Sequence, residues 1–331
     1  MNIAIVGATG LVGRTFLKMI EREGIQFEQL YLFASKRSSG KTLTFKGKTY
    51  TIQTLEKDHI IHKKIDVALF SAGSQVSKAF AHVFNEIGAL VIDNSSAFRM
   101  DETVPLIVPE VNIGEAYQSL LIANPNCSTI QSVLPLSVIQ SISPLKRVDF
   151  TTYQAVSGSG QKGLIELENT HLGKSPQIYP YPIDNNVIAQ IDRFLSDGFT
   201  FEEEKMIKET QKILGLNHLE VSATCVRVPV KHAHSVSMIV ETEDEIDLSR
   251  LRDAFKECQG IQLVDDIEQS RFPTPLEAAG QGDVFVGRLR KDRYSRKKIH
   301  LFCTAHNILK GAALNAVQIL KQIQKKENDH V

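Results

Sequence analysis

The chain lacks the features that would place it in a membrane, on a polyanion or in an oxidising compartment. Nowhere in its 331 residues does an apolar run approach the roughly 20 residues that span a bilayer. Lysine plus arginine number 38 and aspartate plus glutamate 38, so the net charge is zero and neither nucleic acid nor an anionic membrane is expected as the main partner. Cysteine is scarce: Cys127, Cys225, Cys258 and Cys303 stand far apart with no C-x-x-C pair, which argues against a zinc cluster or other metal centre and against a disulfide frame. There is no internal repeat and no low-complexity segment, only a charged tail from Lys321 onward. Met1 leads straight into the strand Ile3-Ala4-Ile5-Val6, so no leader peptide is expected. The expectation is a cytoplasmic protein with reduced thiols.

What is present is enough apolar residue, 42% of the chain, to build two domains with real cores. Asn2 to Gly13 reads as a buried strand, a turn carrying Gly7, Gly10 and Gly13, and the start of a helix running to about Glu23. Glycines at those positions let the backbone turn tightly and approach a pyrophosphate resting on the helix N-terminus. The spacing departs from G-x-G-x-x-G, because Ala8 and Thr9 separate the first two glycines. A second strand, Gln29–Ala34, runs into Ser35-Lys36-Arg37-Ser38-Ser39-Gly40. An NAD site would place a carboxylate near here for the ribose 2′-hydroxyl. Two cations and three hydroxyls instead suit a 2′-phosphate, so the cofactor is expected to be NADP.

Residues 43–55 alternate around Gly47 as an inserted hairpin. Strands at 65–70 and 90–93 flank a helix at 76–87. This alternation indicates a Rossmann-type, doubly wound parallel sheet with ligands along its carboxyl edge. After residue 128 the pattern changes. Strands are expected at 148–156, 220–228, 235–241, 283–290 and 299–303, with helices through Leu164 to Glu168, at 201–214 and 248–258, and from Ile308 to about Ile323. The region 171–200 has little periodicity and reads as an ordered loop. The second part is therefore a mixed α/β domain with a larger sheet of antiparallel character.

The chemistry is expected at Asn124-Pro125-Asn126-Cys127-Ser128-Thr129-Ile130-Gln131. Pro125 keeps Asn124 out of a helix, and Ser128 with Gln131 reads as a capping box opening an apolar helix. Cys127 then sits at a helix N-terminus, where unpaired N–H groups and the dipole favour a thiolate and can hold an oxyanion. Arg99 follows a turn at a strand end, where an anionic group would be held. Gln154, near the end of a strand, can orient a carbonyl. Glu202-Glu203-Glu204-Lys205 opens a helix, which by default is dipole complementarity. Near Arg227, His232 and His234 are equal candidates for proton exchange on spacing alone. A hydride carrier beside a reactive thiol suggests hydride transfer to or from a thioester or thiohemiacetal.

Eight segments in order resemble the aspartate-semialdehyde dehydrogenase family. They are Gly7-Ala-Thr-Gly-Leu-Val-Gly13, Asp93-Asn-Ser-Ser-Ala-Phe-Arg99, Val108-Pro-Glu-Val-Asn112, Asn124 to Gln131, Tyr153-Gln-Ala-Val-Ser-Gly158, Arg227-Val-Pro-Val with His234-Ser235, Phe272 to Gly280, and Gly311 to Gln318. The resemblance implies an NADP-binding domain over 1–127, a catalytic and dimerisation domain over 128–306, and a closing helix from 307 to 331 that packs back on the first. It implies Cys127 as nucleophile, His234 as acid/base and Gln154 as the group that positions the substrate. Arg227 would take the substrate carboxylate, Glu202 its amino group, and Arg99, Asn126 and Lys205 the phosphate. Gly7, Thr9, Gly10, Leu11, Val12, Gly13, Ser35, Arg37, Ser38, Ser157, Gly158 and Asn307 would face NADP.

The implied reaction is NADPH-dependent conversion of L-aspartyl 4-phosphate to L-aspartate 4-semialdehyde, with release of phosphate. It feeds lysine (through diaminopimelate), threonine, methionine and isoleucine synthesis, in a homodimer or homotetramer. The alternatives are an N-acetyl-γ-glutamyl-phosphate reductase, which would not need an anchor for a free amino group, and a catalytically silent binding protein. Three positions depart from the family pattern: Ala233 for a usual glycine, His306 for a common aspartate, and Lys36 for a smaller residue. If residue 233 needs positive φ, alanine costs about 1 kcal/mol or more there.

Overall fold

The computed structural model describes residues 1–329, and the chain separates into two compact units. One comprises Met1–Pro125 with the chain from Ala312 onward; the other is Asn126–Gly311.

The first unit is an α/β layer structure. Its strands are β1 (Asn2–Val6), β2 (Gln29–Ala34), β3 (Thr42–Phe45), β4 (Lys48–Thr54), β5 (Val67–Phe70), β6 (Leu90–Asp93) and β7 (Leu121–Ala123). Among them run helices α1 (Leu11–Arg22), α2 (Lys57–Ile61), α3 (Ser74–Glu86) and α4 (Pro109–Asn112). The sheet order is β3-β4-β2-β1-β5-β6-β7, parallel throughout except for the β3–β4 pair. Every residue of β1, β5 and β6 is buried. Strands covered on both faces read as unbroken apolar runs, which is why these three stand out in the sequence. The edge-on aromatic pairs Phe33–Phe84 and Phe70–Phe84, with centroids 6.0 and 5.3 Å apart, occupy part of the core. The segment expected as an inserted hairpin forms one, β3 and β4 pairing antiparallel across Gly47, and it also extends the main sheet, because β4 pairs in parallel with β2.

The second unit begins with helix α5 (Cys127–Ile142) and strand β8 (Leu145–Gln154), followed by α6 (Gln161–His171) and α7 (Phe201–Leu214). Then come β9 (Glu220–Arg227), β10 (His234–Thr242), α8 (Leu248–Glu257), β11 (Ile261–Leu263), α9 (Pro275–Ala278), β12 (Val284–Lys291) and β13 (Lys298–Ala305). The six-stranded sheet runs β11-β12-β13-β10-β8-β9, antiparallel except for the two outermost pairs. Helix α5 is apolar and buried nearly all round, packed on β10, α7 and α8. Pro135 within it has no N–H to offer the carbonyl of Gln131 four residues back. The Cys303 thiol fills that gap, donating to the Gln131 oxygen at 3.6 Å. The stretch between α6 and α7 carries no helix or strand, as expected. It is organised by buried Glu166, whose Oε1 accepts the backbone N–H groups of Gln177 and Ile178 at 2.6 and 2.8 Å.

The chain closes with a π-helical turn (Leu309–Ala313) and α10 (Leu314–Asp329). Helix α10 belongs to the first unit and packs on α1 and α4. Asn315 secures it, donating to the Ile107 oxygen at 2.9 Å and to Asn124 Oδ1 at 2.8 Å.

Candidate active site

In the first unit, the carboxyl edge of the parallel sheet carries the glycine turn. The N–H groups of Gly7 and Ala8 both donate to the Phe33 oxygen, at 2.9 and 3.1 Å, tying the turn to the end of β2. Gly7 has φ +89°, and a Cβ there would lie 2.9 Å from the Ser71 backbone. A Cβ on Gly13 would fall 2.2 Å from the Gly7 oxygen, so this helix can approach its strand only with glycine. Gly10 caps α1 with no side-chain acceptor for the first-turn N–H groups. Helix α1 therefore starts as a bare donor cluster framed by Thr9, Leu11 and Val12. Beyond β2, Lys36–Ser38 forms a single 3-10 turn with exposed Ser35, Lys36 and Arg37 and buried Ser38. The cations thus stand at the end of the strand beside the glycine turn.

Arg99 belongs to the same unit. It is buried and donates through Nε to the Asn124 oxygen at 2.9 Å and through Nη2 to the Asn94 oxygen at 3.0 Å. Its loop is shaped by Asp93, which accepts from Ser77, Ser95 Oγ and the Ser95 N–H. Burial pushes the Asp93 carboxyl above its ordinary range, against the pull of those bonds and the Arg99 charge.

The other substrate and catalytic candidates gather in the second unit. Cys127 is the first residue of α5, but the expected capping box does not form. Asn126 is the N-cap, its Oδ1 accepting the N–H of Ser128 at 2.9 Å and of Thr129 at 3.4 Å. Ser128 Oγ and both Gln131 side-chain polar atoms are buried without partners. An asparagine one residue before Cys127 satisfies the same N–H groups from a better position. Two carboxylates from α7 hold Asn126: its N–H donates to Glu209 Oε2 at 2.6 Å and its Nδ2 to Glu202 Oε1 at 2.9 Å. On the other side Cys127 rests against Gly311, whose added Cβ would lie 2.8 Å from the Cys127 Cβ.

Glu202 is the hub. It is 4% exposed and accepts from Asn126, from Gln154 Nε2 at 3.1 Å and from Lys205 Nζ at 3.1 Å. Burial pushes its pKa up, but the Lys205 charge and the Asn126 and Gln154 hydrogen bonds outweigh that and leave it below the ordinary value. It is therefore an anion at neutral pH. Lys205 also reaches Asp192 at 2.9 Å, and these two carboxylates raise its pKa against the effect of burial. The expectation that Glu202-x-x-Lys205 is more than a solvated helix start thus has a physical basis in the packing of α7 on α5.

His234 is fully buried at the start of β10. Its Nδ1 accepts the Ala155 N–H at 2.9 Å, while Nε2 has no partner. That bond assigns the neutral ring's proton to Nε2. Burial, then the charges of Arg227 and His306, hold its pKa well below the ordinary value. Arg227 is 5% exposed, donates from Nη1 to the Ala155 oxygen at 2.8 Å, and has an unpartnered Nε. A Cβ on Gly158 would lie 2.7 Å from Arg227 Nη1 and 3.2 Å from His234 Nε2. Gly158 therefore marks where the cation and the imidazole converge. Ser157 and Asn307 are buried beside it and hydrogen-bonded to each other. Ala233 has φ +70°, so the residue preceding His234 does adopt the conformation that favours glycine. His306 accepts the Gly280 N–H at 2.8 Å and packs edge-on against His232, centroids 5.4 Å apart.

Two contributors have no signature in the sequence. Tyr179 lies under Arg227, ring centroid 5.8 Å from the guanidinium carbon, and bonds Ser159 Oγ at 3.0 Å. It comes from the aperiodic loop. Glu209 reads as an ordinary helical glutamate until α7 packs on α5.

Residues 2–119 match the family model described as "Semialdehyde dehydrogenase, NAD binding domain", and residues 136–310 match "Semialdehyde dehydrogenase, dimerisation domain". The chain is 48% identical to the aspartate-semialdehyde dehydrogenase of Aquifex aeolicus (strain VF5), with 98% of each chain covered. It is 44% identical to that of Bacillus subtilis (strain 168), again over 98% of each. Among solved structures, aspartate semialdehyde dehydrogenase II from Vibrio cholerae superposes with a TM-score of 0.92 at 41% identity over 98% of each chain. That protein has also been solved in complex with ASA.

Proposed function

The chain belongs to the aspartate-semialdehyde dehydrogenase family, and on that premise we propose that it converts L-aspartyl 4-phosphate to L-aspartate 4-semialdehyde with release of phosphate. The observation that carries this reading is the hydrogen-bonded set around Cys127. Glu202 joins the N-cap Asn126, Gln154 and Lys205 through one carboxylate. Such a set presents a nucleophile, an anion for a substrate ammonium and a cation for a phosphate together. Arg227, with its unpartnered Nε, is suited to the substrate carboxylate.

NADP fits the first unit: Gly7, Gly10 and Gly13 remove the Cβ atoms that would crowd the turn into α1, and Ser35, Arg37 and Ser38 offer donors for a 2′-phosphate. Gly7, Thr9, Gly10, Leu11, Val12 and Gly13 would hold the pyrophosphate, and Ser157, Gly158 and Asn307 are assigned to the same cofactor. NADPH, when bound, supplies the hydride that takes the enzyme-bound thioester to the aldehyde level.

In the chain's own steps, Cys127 Sγ bonds to the acyl carbon while the carbon–oxygen bond to phosphate breaks. Arg99, Asn126 and Lys205 stabilise the departing phosphate. Gln154 orients the acyl group, which Glu202 and Arg227 hold by its amino and carboxylate ends. His234 enters with Nε2–H as donor, the state suited to an acyl oxygen that gains negative charge. Collapse of the tetrahedral adduct on Sγ expels the thiolate and frees the aldehyde. This is the step that feeds lysine through diaminopimelate, threonine, methionine and isoleucine. The working unit is a homodimer formed through Asn126–Gly311, or a homotetramer built from it.

The test is the reverse reaction: phosphate-dependent NADP reduction with L-aspartate 4-semialdehyde. No turnover with that substrate, but turnover with N-acetylglutamate semialdehyde, would reassign the reductase. Turnover retained in Cys127→Ala would remove the thioester.

A further inference from the structure

We propose that Asn307 is a positioning residue for His234, clamping the strained peptide before it and the glycine turn that faces it. The inference rests on the acid/base role given to His234 above.

Sheet register brings the groups together. His234 pairs with Ala305 in the β10–β13 ladder, so residue 307, two positions past that pairing, can turn back toward residue 233. Asn307 is 2% exposed, and its Oδ1 accepts the Ala233 N–H at 3.0 Å. Ala233 is completely buried with φ +70°. An L-residue resists that conformation, and an extended or right-handed alanine would redirect the chain entering His234. Without Asn307 the buried Ala233 N–H has no acceptor, which removes a reason for the peptide to stay where it is.

The opposite side of the amide holds the other wall. Nδ2 donates to Ser157 Oγ at 3.0 Å, and that hydroxyl is also 3.2 Å from Oδ1. Ser157 is followed by Gly158, the residue that meets both His234 Nε2 and Arg227 Nη1. The turn is further fixed by Val156 N–H to the Val230 oxygen at 2.9 Å and Ser157 N–H to the Lys231 oxygen at 3.2 Å. One amide therefore spans from the peptide that aims the imidazole to the turn the imidazole faces. Ala155 N–H then completes the orientation through Nδ1. An apolar side chain could fill the volume but hold neither wall.

The decisive variants are Asn307→Ala, Ala233→Gly and the pair. Asn307→Ala is expected to lower kcat by about tenfold or more, over and above any rise in the KM for NADP that comes from losing the cofactor contact assigned to Asn307. Glycine tolerates positive φ unaided, so adding Ala233→Gly is expected to recover about a threefold or larger part of the lost kcat, the remainder reflecting the Ser157 wall that stays unheld. A cofactor contact would not be rescued from residue 233. A rise in the KM for NADP with kcat unchanged, or no recovery in the double variant, would overturn the clamp.

A readout independent of substrate is the 15N spectrum of the His234 ring. Asn307→Ala should average its two nitrogens, whereas the parent shows the Nε2–H tautomer; an unchanged ring spectrum would also overturn the clamp. Should Asn307→Ala not fold, Asn307→Asp decides. It keeps the acceptor for Ala233, so the tautomer should persist while the ring, faced by Arg227 and His306, titrates at higher pH. Loss of the tautomer in that variant would count against the proposal. Absence of turnover in the parent protein would refute the reaction assignment and leave the spectrum to judge the clamp.

Discussion

Gly311→Ala places one methyl group against the nucleophile. The added Cβ would lie 2.8 Å from the Cys127 Cβ, 3.2 Å from its Cα and 3.4 Å from its backbone oxygen. Carbon atoms in contact sit about 3.5–4.0 Å apart, so the pair must separate by roughly 0.7–1.2 Å. The obstacle is backbone and Cβ rather than the end of a flexible side chain. Cys127 itself is pinned from the other side, because Asn126 is held by Glu202 and Glu209. Overpacking of this kind costs about 1–3 kcal/mol. A shift of about 1 Å in a reacting group costs on the order of a hundredfold in rate. The expected outcome is a drop in kcat of about that size, a slower reaction of Cys127 with iodoacetamide, and a fall in Tm of a few degrees, on the order of what 1–3 kcal/mol produces. Gly114→Ala is the control, since its Cβ would meet no atom within 4 Å. Turnover and alkylation at parent rates in Gly311→Ala would refute the claim that this glycine sets the position of the thiol.

Ala233→Gly alone should stabilise the protein: relieving a left-handed alanine is worth roughly 1–2 kcal/mol, of which greater unfolded-state freedom takes back about 0.4–1. A denaturant midpoint that does not rise would contradict this. Burial and the neighbouring His232 push the His306 pKa down to about 4, whereas an unfolded histidine titrates near 6.5. Between those values the unfolded chain binds a proton that the folded chain lacks, so stability falls as pH drops through this window, by up to about 3 kcal/mol. His306→Asn keeps an acceptor for Gly280 and should flatten that loss in urea titrations at pH 7 and 4.5; an unchanged difference would exclude the effect. Burial pushes the Cys225 and Cys303 thiols far up, so a native thiol titration should count two rapidly reacting cysteines, Cys127 and Cys258, and only one in Cys127→Ala. A third fast thiol in the folded protein would contradict the burial.

How much was legible follows from where each signal resides. Strands β1, β5 and β6 announce themselves because a covered parallel strand has no polar side to interrupt it. The three-residue strands β7 and β11 are too short to show a period and were missed. The 43–55 hairpin was legible as strands but not as part of the main sheet, since β4's partner is a matter of topology rather than composition. At Cys127 the helix start was legible, and the cap was misassigned by two residues because Ser128 and Asn126 are equally good cap types. Only the packing of α7 shows which one has its backbone fixed. Positive φ at residue 233 could be raised as a question from the sequence, yet its answer depended on how β10 enters its ladder. Tyr179 and Glu209 were not legible: Glu209 meets Asn126 across 83 residues of chain, and nothing local encodes that meeting.

The return of α10 to the first unit has a consequence for synthesis. Ala316, Val317, Ile319 and Leu320 are buried there, and Asn315 takes up the Ile107 and Asn124 oxygens. As the chain leaves the ribosome, the nucleotide-binding layer must wait through the whole of Asn126–Gly311 before its last helix arrives. The contiguous unit can complete its core first, while the earlier-made one keeps an apolar seam open. That order makes the unfinished first unit the natural client for chaperones, and truncations near the carboxyl terminus should expose a fault in its first hundred residues rather than at the cut.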